Sequence, residues 1–103
     1  MSVSPAILGK IVAGYQIVAN FFTLTGGTDL ILENNPNRWS FLIGGPGGIF
    51  VAPTNSLGGG TNGFEINPPF GINVRDYASL PMIEWFAFGL AGQSILIVET
   101  IKL

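Results

Sequence analysis

Catalysis in this chain would have to be built from carboxylates, hydroxyls and lysines, because the sequence contains no histidine and no cysteine. Asp76 and Glu84 are near enough in sequence to share a corner. A glycosidase holds two carboxyls about 5–9 Å apart, but no other residue near them suggests a sugar cleft, and turn capping and solubility account for both. A hydroxyl or amine nucleophile needs an activating base, and neither a histidine nor a Ser-x-x-Lys pattern supplies one. The glycine runs at residues 44–48 (GGPGG) and 57–63 (LGGGTNG) lack the Lys-Ser/Thr that follows a phosphate-cradling loop, so they read as turns. Asp29 and Glu33 lack the every-second-residue ligand spacing of a calcium loop, which leaves open a cation shared between symmetry-related copies. The expectation is a chain with no catalytic residue, no metal ligand and no cofactor.

Side chains that could bind rather than react are more numerous. Trp39, Trp85, Phe86, Phe88 and Tyr77 could stack on a glycan or a partner, or fill a core. Core packing is the expected role of Trp39. Phe86 and Phe88 alternate with Trp85 and Ala87, so one pair faces the core and the other a neighbour, or both are buried in one domain. Arg38 follows an Asn-Pro-Asn turn and opens an apolar run. It is expected either to grip a carboxylate across a subunit interface or to sit as an exposed charge on a strand edge, where it discourages aggregation.

The elements that would carry these residues are strands. Fifteen glycines and seven prolines are too many for helices, which disfavour both, and they punctuate short β-branched and aromatic runs. Strands are expected at residues 15–25 (YQIVANFFTLT), 29–33, 38–43, 49–52, 83–88 and 94–101. Residues 64–67 and 71–74 flank Pro68-Pro69-Phe70 as a hairpin-like corner, and residues 75–82 form a connection with room for one helical or 3₁₀ turn. In residues 38–43, alternation places Trp39, Phe41 and Ile43 on one face and Arg38, Ser40 and Leu42 on the other. In residues 15–25 both faces are fairly apolar, which suits a strand between layers or at an interface. Turns every 8–12 residues or so point to an all-β single domain, a β-sandwich or jelly-roll-like fold, over residues 15–103. Residues 1–14 (MSVSPAILGKIVAG) are expected to form an N-terminal arm that packs on a neighbour or on the domain's own surface.

Composition narrows the functional class. Of the 103 residues, 48% are hydrophobic and 10% are charged, whereas roughly 25% charge is typical. Such a chain is short of the charge that keeps a monomer's surface wet. No apolar stretch reaches the roughly 18 residues of a membrane helix, and no leader-like basic and apolar pair of regions opens the sequence. Four scattered cations and a net charge of −2 make no phosphate-tracking patch, so neither a membrane nor a nucleic acid is expected as partner. The lack of cysteine suits a protein made in a reducing cytoplasm. Small domains lean on disulfides, metals or oligomerisation, and here oligomerisation is left.

From residue 35 onward the order of features resembles small virion proteins of tailed phages. The pieces are Asn35-Pro36-Asn37-Arg38, the strand at residues 39–43, residues 49–53 ending on Pro53, the glycine-rich corner at residues 63–71, Asp76-Tyr77, Trp85-Phe86-Ala87, and residues 95–99 closing on Val98-Glu99. The resemblance covers about two-thirds of the chain. It implies a capsid decoration (cement) subunit, a β-sandwich that forms a homo-oligomer, most simply a homotrimer, made in the host cytoplasm and docked on major capsid proteins at the virion surface. It equally admits a tail, baseplate or fibre-base module that binds a glycan or a tail protein. The residues expected at interfaces are Ile7, Leu8, Ile11 and Val12 of the arm, Arg38, Phe86 and Phe88, with the loops at 44–48 and 54–63.

Overall fold

A computed structural model of the chain describes residues 10–12, 14–55, 63–68, 71–74 and 80–103. These residues form β1 (Lys10–Val12), β2 (Tyr15–Thr23), β3 (Thr28–Leu32), β4 (Arg38–Gly44), β5 (Phe50–Ala52), β6 (Phe64–Glu65), β7 (Ile72–Val74), β8 (Trp85–Phe88) and β9 (Ser94–Lys102). A 3₁₀ turn over Leu80–Met82 precedes β8.

The pairing is nested. β2 runs antiparallel to β9, β3 to β8, β4 to β7 and β5 to β6. The chain is therefore one long hairpin whose two arms are rolled up together. Two further antiparallel contacts, β4 with β9 and β5 with β8, join the rolled pairs sideways. The result is two antiparallel sheets, ordered β1-β2-β9-β4-β7 and β3-β8-β5-β6. Setting β1 aside, this is the eight-strand order of a jelly roll. The part of the expected arm that is described, residues 10–12, is a strand of the domain's own sheet, laid along Tyr15–Ile17. Gly14, at φ +84°, reverses the chain between β1 and β2.

The core is what both sheets turn inward. Phe41, Ile43, Ile95 and Ile97 come from the five-stranded sheet, and Val51, Trp85 and Ala87 from the four-stranded sheet. Phe41 and Trp85 meet edge-on across the gap, with ring centroids 5.0 Å apart, the geometry that the ring quadrupoles favour. The Trp85 indole N–H is not wasted: it donates to the Leu80 carbonyl at 2.8 Å.

Two departures from simple alternation shape the molecule. The corner at residues 64–74 is not a hairpin. β6 pairs in the four-stranded sheet and β7 in the five-stranded one, so the corner carries the chain from one layer to the other. The second departure is a bulge in β4. Arg38 pairs with Ile101 and Ser40 with Thr100, which leaves Trp39 as an extra residue. A bulge turns over the side chains on one side of it. Arg38 consequently points inward with Phe41 and Ile43, while Trp39, expected in the core, is 41% exposed and stacks at a tilt on Tyr15, with centroids 5.7 Å apart.

The interlayer corner depends on one backbone conformation. Gly71 has φ +69°, and a Cβ placed there would lie 2.5 Å from the Ile43 carbonyl oxygen. Because that obstacle is backbone, it cannot rotate away. Gly71→Ala is expected to lower unfolding free energy by about 2–4 kcal/mol through strain and displacement of β4, read as a fall in the urea midpoint at unchanged slope.

Candidate functional site

Among the described residues the buried polar side chains are Asn20 and Arg38, and Arg38 is the charged one. Its Nε donates to Glu99 Oε2 at 2.8 Å. Nη1 donates to the Pro81 and Ile83 carbonyls at 3.0 and 3.3 Å, and Nη2 to the Glu33 carbonyl at 2.7 Å. The side chain is 3% exposed and its partner carboxylate 15%. Neither sequence expectation holds for it. Arg38 is not an exposed edge charge, and its guanidinium is spent on four acceptors within the chain rather than held out to a partner. The reason is the Trp39 bulge, which rotates position 38 from the outer to the inner side of the sheet. A cleft of ≈ 370 Å³ opens beside this ion pair, between β3 and Phe22 of β2. Its cation is already committed to those four acceptors, and the rest of the lining is Phe22, the Leu30–Leu32 run and Glu33.

The other candidates for chemistry do not gather. Asp29 is engaged locally, accepting from the Thr25 backbone N–H at 2.9 Å and from the Thr25 hydroxyl at 2.7 Å. Glu84 is exposed. Among the described residues no three acidic side chains cluster in a way that would hold a metal ion. Asp76 and Tyr77 lie outside the described residues, as do Ile7, Leu8 and most of the 54–63 loop. Ile11 and Val12 lie in β1.

Surfaces are what the fold assembles. On the four-stranded sheet, Trp85 and Ala87 are buried while Phe86 and Phe88 are half-buried on the opposite face. Register sets Leu30 and Ala52 beside Phe86, and Thr28 and Phe50 beside Phe88. Glu65, paired with Phe50, puts a carboxylate at the margin of that patch.

The five-stranded sheet carries a larger and cleaner apolar face. Asn20, Phe41, Ile43, Ile95 and Ile97 are buried toward the core, so the alternate residues of the same strands look outward. They lie in cross-strand rows: Phe21 beside Leu96 and Gly44, then Ala19 beside Val98 and Leu42, then Ile17 beside Thr100 and Ser40. Phe21 is 65% exposed, and Leu42 is also exposed. Tyr15 and Trp39 continue the face at one end, next to Lys102. Lys102 lies on this face, register places Lys10 opposite Ile17 on its edge strand, and among the described side chains no carboxylate lies on it. A scattered exposed leucine is ordinary, but a contiguous apolar patch of this kind marks a contact surface.

Sequence alternation identified the Ile17, Ala19 and Phe21 side of β2 as apolar. It missed Leu42, Leu96, Val98 and Trp39 as neighbours of that side, because only the β2–β9–β4 pairing brings them together. Comparison of the chain with protein-family models, with curated proteins and with solved structures finds no match.

The Arg38 centre can be tested directly. Arg38→Met strands the Glu99 carboxylate and three carbonyls in a poorly hydrated site, at an expected cost of about 3–5 kcal/mol. Arg38→Lys restores the charge but not the planar fork, and is expected to recover less than half of that loss. Urea unfolding of the three proteins measures both.

Proposed function

We propose that the protein is a non-catalytic structural subunit that works by docking into a larger assembly, specifically a decoration subunit on a tailed-phage head that stabilises the shell through contacts with major capsid proteins. The observation that carries this reading is the outer face of the five-stranded sheet, apolar at its centre with its lysines at one margin. Water penalises such a surface at about 25 cal/mol per Å² of apolar area, and covering it is the direct physical use for it. The jelly-roll order is consistent with the reading, since viral capsid domains use that architecture, although a fold alone does not assign a function. The phage setting comes from the turn and strand chemistry at residues 35–53 and 63–99. Many subunits repeated over a symmetric shell convert modest single contacts into avidity, while association entropy offsets part of each contact.

One observation favours a second reading, a tail, baseplate or fibre-base module. Tyr15 and Trp39 form a half-open aromatic platform at the end of the face, the type of surface on which a sugar ring stacks.

Immunogold labelling of intact particles separates the two. The decoration reading expects many copies spread over the head, and particles lacking the protein should release their genome at lower temperature. Labelling confined to the tail, together with glycan binding that Trp39→Ala abolishes, would select the second reading. Particles that carry no copies would remove both.

A further inference from the structure

We infer that the outer face of the five-stranded sheet is the surface through which two copies of this chain bind each other, sheet against sheet, about a two-fold axis. The inference rests on the assembly reading above and adds which face is used and what occupies it.

Charge selects the occupant. In a two-fold contact every residue faces the same patch on the other copy. An ionised patch would therefore set like charges close together, and a mixed patch would need its charges in matched positions. The centre of the face, built on Phe21, Leu42, Leu96 and Val98, carries no charge, and the charges stand at one margin, Lys102 at the end of the last strand and Lys10, by register opposite Ile17, on the edge strand. The four-stranded sheet is less suited to meeting itself because its strands of 5, 4, 3 and 2 residues offer a smaller patch, with Glu65 beside Phe50 at the margin.

Shape and size agree with charge. Phe21 rises from the face, 65% exposed, beside the low points Ala19 and Gly44. A projecting ring and shallow hollows on one surface allow two copies to interdigitate as facing sheets do in a sandwich. With strands about 4.8 Å apart and a rise of roughly 3.3 Å per residue, strands of 9, 9, 7, 3 and 3 residues give the face a projected area on the order of 500 Å². Two such faces remove at least about 1,000 Å² from water, the level at which specific association begins. The polar residues on the face are Thr100 and Ser40, Asn73 beside Leu42, and the Thr23–Ser94 pair next to the Phe21 row. Their hydroxyls and amide can bond to each other or to retained water, and the marginal lysines can stay in water at the rim.

The test is light scattering on the purified full-length chain at micromolar concentration. The expected result is a mass twice the 10.9 kDa of one chain, and a Phe21→Lys, Leu42→Lys double variant that runs as a single copy, with self-affinity reduced roughly 100-fold or more. Both residues are exposed, so the variant should keep its far-ultraviolet spectrum and the near-ultraviolet signal of the buried Phe41–Trp85 pair. A second variant, Phe86→Lys on the opposite sheet, should remain two-fold. The inference is overturned if the wild type is a single copy or three copies, or if Phe86→Lys rather than the double variant separates the chains. None of those results removes the assembly reading, which falls instead if particles carry no copies.

Discussion

The two layers are fastened at one end by a single guanidinium. Arg38 belongs to β4 of the five-stranded sheet, yet its N–H groups reach the Glu99 carboxylate on β9, the carbonyl just beyond β3, and two carbonyls of the segment that leads into β8. Burying such a charge is costly, and a well-packed apolar substitute can be as stable. What the arginine supplies is direction. Its planar fork accepts one arrangement of four acceptors from separate parts of the chain, and that arrangement sets where β3 and the Leu80–Met82 turn sit against the five-stranded sheet. Among the described residues no buried side-chain polar atom lacks a partner, so the polar network closes.

The same bulge that turns Arg38 inward turns Trp39 outward. One extra residue in β4 therefore determines two properties at once, the satisfied polar centre inside and the aromatic platform outside. Strict alternation would have buried the tryptophan and exposed the arginine, which would have left β3 and β9 without their link. A local irregularity of this kind is a structural device, not a defect.

Sheet edges and faces are treated differently by this fold. β3 is bulged between Leu30 and Leu32, while β6 and β7 are very short, and both features blunt edge-to-edge pairing. The faces receive no such protection. On the outer face of the five-stranded sheet the lysines stand at one margin, Lys102 at the end of β9 and Lys10 opposite Ile17 on the edge strand, and the centre is left apolar. A chain with 10% charged residues has few to place, and most of those here sit at turns, at strand ends or in the Arg38 centre.

Several features follow from the residues alone. Glycine and proline placement marked the positions of β2 to β9 to within a residue or two, while β1 lies in the stretch read as an arm, and the β-branched runs marked the all-β class. The lack of histidine and cysteine removed whole classes of chemistry, and the scarcity of charge pointed to surfaces that want covering. All of these are local or compositional properties, readable without knowing what touches what. Sheet membership, the inward turn of Arg38 and the gathering of Phe21, Leu42, Leu96 and Val98 on one face were decided only by tertiary pairing. The physical reason is that a strand's inner and outer sides are defined by its register against distant partners. One inserted residue exchanges the two sides, and nothing in the local sequence around Trp39 signals that insertion.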